Sequence, residues 1–139
     1  MPTLTGVHHV ALTVTDVDRS VPWYERVLGF ESIGKDESPS GMRKAFLRGP
    51  GLGITLTLVQ HPVSDYARFD ERRPGLDHLT FSVPDRACLQ EWTERLTKHG
   101  VTFSPITEEH SAPGTEVISL RDPDGIQLVL WAREPDEDD

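Results

Sequence analysis

Val7-His8-His9-Val10-Ala11-Leu12-Thr13-Val14-Thr15-Asp16 returns 69 positions later (78 − 9) as Leu76-Asp77-His78-Leu79-Thr80-Phe81-Ser82-Val83-Pro84-Asp85. At the same offset Trp23 meets Trp92, Glu25 meets Glu94 and Arg26 meets Arg95. Histidine, tryptophan and aspartate matching together without a gap mark an internal duplication. Module 1 is expected over about 5–60 and module 2 over about 75–132, with a polar, Pro-bearing linker at 61–74 and an acidic tail at 133–139. The whole chain reads as one domain.

Working outward, residues 7–14 alternate and are rich in Val, Thr and Leu, a strand pattern. A helix follows over 18–28, with Val21, Tyr24 and Leu28 on one stripe, Pro22 in its first turn and Gly29 ending it. Strands are expected near 30–35, 42–48 and 53–59. The second half opens with a strand at 76–83 and a helix at 86–99, with Asp85 as its N-cap and Gly100 as its stop. Strands near 101–105, 116–120 and 126–131 complete it, the last preceded by the tight turn Asp122-Pro123-Asp124-Gly125. Each module is therefore βαβββ, and the fold class is α+β.

Side chains on a strand alternate faces with period 2. Val10, Leu12, Val14, Leu79, Phe81 and Val83 are the large apolar residues that should meet the helices. Their alternates His9, Ala11, Thr13, His78, Thr80 and Ser82 then share the opposite face, joined by Thr55, Thr57 and Val59 and by Gln127, Val129 and Trp131. On these four strands that face carries no Lys, Arg or Glu, so it is expected to line a pocket for a small molecule. Trp131 is placed to stack on an aromatic or cationic ligand. His8 should lie on the helix side as a partly buried residue.

A net charge of −9 with pI near 5.0 argues against a nucleic-acid surface. No apolar run reaches the roughly 18 residues that span a bilayer. The lone cysteine, Cys88, excludes an internal disulfide and fits a reducing cytoplasm.

The opening His8-His9-Val10-Ala11-Leu12-Thr13-Val14-Thr15-Asp16, the run Ser20-Val21-Pro22-Trp23-Tyr24-Glu25-Arg26-Val27-Leu28-Gly29-Phe30 and the closing Asp122-Pro123-Asp124-Gly125-Ile126-Gln127-Leu128 resemble the vicinal oxygen chelate superfamily, the glyoxalase, bleomycin-resistance and extradiol-dioxygenase group. The likeness runs from Gly6 to Trp131. It implies that the two modules form a curled mixed-sheet cup with the helices outside, and that two copies form a homodimer. In metal-dependent members, the first and last strands of each module supply the ligands, commonly His and Glu. Carried over, the first-strand positions are His9 and His78, and the last-strand positions are Thr55 and Val129. Valine has no donor atom and a threonine hydroxyl is a poor one, so this chain departs from the pattern. Glu116 and Glu108 are candidate replacement donors.

Two functions follow as expectations. One is a small-molecule-binding protein that sequesters an organic ligand or natural product at His9, Thr13, Thr55, Thr57, His78, Thr80, Gln127, Val129 and Trp131, without a standard metal. The other is a lyase, isomerase or dioxygenase with His9 and His78 as catalytic residues. It would work either without metal or with a divalent Fe, Mn, Ni or Zn held incompletely by those two histidines.

Overall fold

The computed structural model of the chain describes residues 1–133, so the expected acidic tail lies, apart from Arg133, outside them. The chain divides into two compact units, Met1–Ala67 and the part from Arg68 onward. Each repeats one order of elements. The first is β1 (His9–Thr13), α1 (Val17–Leu28), β2 (Glu31–Glu37), β3 (Arg43–Arg48) and β4 (Thr55–Gln60). The second is β5 (Leu79–Val83), α2 (Arg86–Lys98), β6 (Thr107–Glu108), β7 (Thr115–Arg121) and β8 (Gln127–Arg133). The fold is α+β, in two tandem βαβββ modules.

Each unit holds a four-stranded mixed sheet, ordered β1-β4-β3-β2 and β5-β8-β7-β6. The helical crossover makes the β1/β4 and β5/β8 pairs parallel, whereas the hairpins make the other pairs antiparallel. The module thus puts its first and last strands side by side, although about 45 residues separate them in the chain.

The helices are built by local signals. Asp16 caps α1 by accepting from Asp18 N at 2.9 Å, and Asp85 caps α2 by accepting from Cys88 N at 2.8 Å. Gly29 ends α1 in the left-handed region at φ 77°, which a side chain would disfavour. Because α1 begins at Val17, Pro22 falls in its second turn, not its first, and gives no N–H to the carbonyl of Asp18. Val21, Tyr24 and Val27 of α1, which packs on β3 and β4, are buried with Leu47 of β3 and Leu56 and Leu58 of β4. Leu89 and Leu96 of α2 pack on Ile118, Leu120, Leu128 and Leu130. Burying each such leucine stabilises the fold by about 1.5–3 kcal/mol.

Two irregularities stand out against the sequence pattern. The strand expected at 101–105 is not formed. Phe103 makes one isolated bridge to Leu120, and the strand proper is the short β6. Ser104 explains the break: its N–H donates to Ser119 O at 2.9 Å, but its side-chain Oγ, not a backbone carbonyl, accepts from Ser119 N at 2.8 Å. Pro105 then offers no N–H at all. In β2 the register slips between Ser32 and Gly34, leaving Ile33 as an extra, half-exposed residue in a bulge of the outermost strand.

Candidate functional site

Register fixes which side chains share a face. In the first unit His9 pairs with Thr55, Ala11 with Thr57 and Thr13 with Val59. Across the hairpin Thr55 pairs with Arg48, Thr57 with Phe46 and Val59 with Lys44. Three rows therefore cross the sheet on the side away from α1. Leu12, Leu47, Leu56 and Leu58 occupy the other side and are buried. Thr57 (5 % exposed) and Val59 (8 %) are enclosed at the middle of the histidine-bearing face, while His9, Ala11 and Thr13 are exposed on the edge strand.

The second unit repeats the scheme. Thr80 pairs with Val129 and Ser82 with Trp131, and these pair in turn with Ser119 and Val117. Gln127 pairs with Arg121. His78 lies one residue ahead of β5, not within it, and alternation from Leu79 brings it to the Gln127 row. The sequence-selected residues thus fall into two groups: His9, Thr13, Thr55 and Thr57 on one sheet, and His78, Thr80, Gln127, Val129 and Trp131 on the other.

Register also corrects the matching of the repeats. Val10 pairs with Leu56 and its counterpart Leu79 pairs with Leu128, so Thr57 is the equivalent of Val129, and Thr55 that of Gln127. Glu116 and Glu108 are paired with each other on the row that leads to Ile118 and Leu120, the side covered by α2. Glu116 is occupied there by Arg86, 3.2 Å away. Neither glutamate lies on the strand face that carries Thr80 and Val129 in their own unit.

The selected positions on β1, β4, β5 and β8 carry no Lys or Arg, but the neighbouring strands β3 and β7 bring cations to the same faces. Lys44 and Arg48 share the face of His9, and Arg121 shares the face of Val129. Arg48 donates Nη2 to Glu31 Oε2 at 3.0 Å, between side chains that are each about two-thirds exposed. Arg121 holds both Glu71 oxygens, at 3.2 and 2.8 Å, and also donates to Gly125 O at 2.9 Å. That bidentate bond raises the Arg121 pKa and holds the Glu71 carboxyl below its ordinary range. Sequence alternation missed these arginines because their strands carry adjacent apolar residues.

The histidines have unlike neighbours. His8 is exposed, not partly buried, and its Nδ1 lies 2.9 Å from His9 Nδ1. One ring must donate and the other accept, so two neutral rings would hold opposite tautomers. His78 instead meets Asp77, with Nδ1 2.6 Å from Oδ1. Donation to that carboxylate makes Nε2 the acceptor nitrogen of a neutral His78. Cys88 is half-buried, and burial, followed by the charges of Glu91 and Asp85, pushes its thiol pKa up, away from reactivity.

A resident divalent metal does not fit these residues. The last-strand positions hold Val129, which has no donor atom, and Thr57, a buried hydroxyl. Among the described residues no three His, Cys, Asp or Glu side chains gather as a metal set.

Comparison with known proteins agrees with this architecture. The chain is 29 % identical over 131 residues to catechol-2,3-dioxygenase of Bacillus subtilis, covering 94 % of this chain but 42 % of that protein. It therefore spans about two-fifths of that enzyme's length. A glyoxylase/bleomycin resistance protein/dioxygenase domain from Frankia sp. EAN1pec superposes with a TM-score of 0.84 at 36 % identity, covering 95 % of this chain and all of that one. TnmS3, an antibiotic binding protein from Streptomyces sp. CB03234, shares the fold with a TM-score of 0.72 at 20 % identity, covering 96 % of this chain and all of that one. The sequence profile of the Glyoxalase/Bleomycin resistance protein/Dioxygenase superfamily matches residues 6–130, and the chain belongs to that superfamily.

Proposed function

We propose that the chain binds a small organic molecule on the histidine-bearing faces of its modules and sequesters it, without a resident metal. The observation that carries this reading is the pair of last-strand positions, Thr57 and Val129, which supply no carboxylate beside the histidines. Enclosed Thr57 and Val59, half-buried Trp131 and Gln127 give a lining of mixed polarity suited to an organic ligand. Antibiotic binding by TnmS3 is a fold-level analogy in the same direction. The ligand residues of this reading are His9, Thr13, Thr55, Thr57, His78, Thr80, Gln127, Val129 and Trp131. The working form is taken as a cytoplasmic homodimer.

Elemental analysis of protein purified without chelator tests the reading, together with recovery of bound ligand. Substoichiometric Fe, Mn, Ni and Zn and a chemically unchanged ligand are expected. One metal per chain, or a converted ligand, overturns it. Light scattering that reports about 15.6 kDa at micromolar concentrations overturns the dimer.

A second reading rests on the Asp77/His78 hydrogen bond, the arrangement that orients a general base. In that reading His78 and His9 perform acid–base chemistry on the ligand, as a lyase or isomerase. Its mark is ligand turnover abolished by His78→Ala and reduced by Asp77→Asn.

A further inference from the structure

We infer that His9, Thr55 and Arg48 of the first module form an oxyanion-binding site, which takes the carboxylate, phosphate or phosphonate group of a small organic acid. The inference rests on the ligand-binding reading above and names the class of its ligand.

The three residues stand in one row on three adjacent strands, His9 on β1, Thr55 on β4 and Arg48 on β3. Neighbouring strands are about 4.8 Å apart, so the row spans about 10 Å with Thr55 at its centre. Residues paired in this way project to the same side. An oxyanion lying over Thr55 would meet the hydroxyl beneath it, the guanidinium on one flank and the imidazole on the other. All three can donate, and a guanidinium matches a planar or tetrahedral oxyanion with two parallel bonds.

Arg48 is available for this. Its bond to the protein is from Nη2 to Glu31, and Glu31 lies on β2, the strand on the side of Arg48 away from Thr55. The pair is well exposed, and such ion pairs hold weakly in water. The second module shows the contrast. Its corresponding row has Gln127 in place of threonine, and its arginine, Arg121, is spent on Glu71 and on Gly125 O. The duplicated row has become a brace in one module and remains open in the other.

NMR titration of the full chain with benzoate and, separately, inorganic phosphate tests the site. Saturable shifts at Thr55 and His9 are expected for at least one probe. Benzoate alone would identify a carboxylate site, and phosphate alone a phosphoryl site. Arg48→Gln should weaken binding about tenfold or more, as loss of a charge-assisted hydrogen bond does. Glu31→Gln, which removes the competing carboxylate and keeps Arg48, should tighten it. Arg43→Gln, whose guanidinium is held by Asp18, should leave it unchanged. Absence of saturable shifts, shifts that survive Arg48→Gln, or an equal loss in Arg43→Gln overturns the site. A neutral ligand bound alike by wild type and Arg48→Gln, with no saturable benzoate or phosphate shifts, sinks the oxyanion site but leaves the sequestering reading standing. Stoichiometric metal with Arg48-dependent benzoate binding does the reverse.

Discussion

Asp122 is the residue on which the position of β8 turns. It is 4 % exposed, and its Oδ1 accepts from Asp124 N and Ile126 N, both at 2.9 Å. Its own N–H donates to Ile126 O at 3.0 Å and its carbonyl accepts from Gly125 N at 2.9 Å, closing a turn in which Gly125 sits at φ 84°. Asp122→Ala orphans two backbone donors, one on Ile126, which is 3 % exposed, and one on half-buried Asp124. A buried orphan costs about 1–3 kcal/mol and a partly wetted one less, so the total should be about 2–4 kcal/mol. For a chain of this size that lowers Tm by roughly 10 °C. Asp122→Asn keeps an acceptor oxygen and should cost under about 1 kcal/mol. Urea and thermal unfolding read both values. Hydrogen exchange should show the β8 amides around Gln127 and Val129 losing protection first. The reasoning fails if Asp122→Ala lies within about 0.5 kcal/mol of wild type, or if Asn is as damaging as Ala.

Ser20 is wholly buried on α1 and its Oγ has no hydrogen-bond partner among the described residues, so Ser20→Ala should stabilise by about 0.5–1 kcal/mol, and destabilisation in urea would count against this. Arg72 holds Asp70 by its side chain and by its backbone N–H, lowering the Asp70 pKa to about 2, and Arg121 holds Glu71 low. Their folded pKa values lie below the unfolded ones, so these groups support the fold above the ordinary carboxylate range and lose that support as pH falls toward about 2. Glu71→Gln should flatten the Glu71 part of this acid limb, and an unchanged limb would refute the assignment. Val129→Glu adds a carboxylate to the face of His78, and calorimetry should find Zn or Mn binding at least about tenfold tighter than wild type. His78→Ala should remove most of the gain, and an unimproved single variant would show that Val129 and His78 do not cooperate.

What could be read in advance was whatever is encoded locally. Asp85 and Gly29 cap and stop their helices by short-range bonds, and Asp122 to Gly125 dictate a turn with their own side chains. The duplication extended one module's reading to the other. Register was harder, because pairing between β1 and β4 joins residues about 45 positions apart. Thr55 could be matched to Val129 by motif, but only the ladder shows Thr57 in that place. Arg48 escaped notice because Ala45-Phe46-Leu47 are three apolar residues in succession, which erases alternation, and Val117-Ile118 did the same for Arg121. The strand expected at 101–105 failed for a different reason: Ser104 can mimic a backbone acceptor, and nothing in its sequence context announces that choice.

The extra residue at Ile33 matters to the molecule among its own copies. β2 is the margin of its sheet, and a margin strand offers one line of unsatisfied backbone groups to any passing chain. Growth of a fibril by strand addition needs that line to be straight and evenly spaced. The bulge interrupts the spacing after two residues, and Lys35, Asp36 and Glu37 charge the rest of the line. An apolar side chain in so exposed a place would ordinarily invite polymerisation. Here the same residue, inserted out of step, bends the strand away from the geometry a polymer requires.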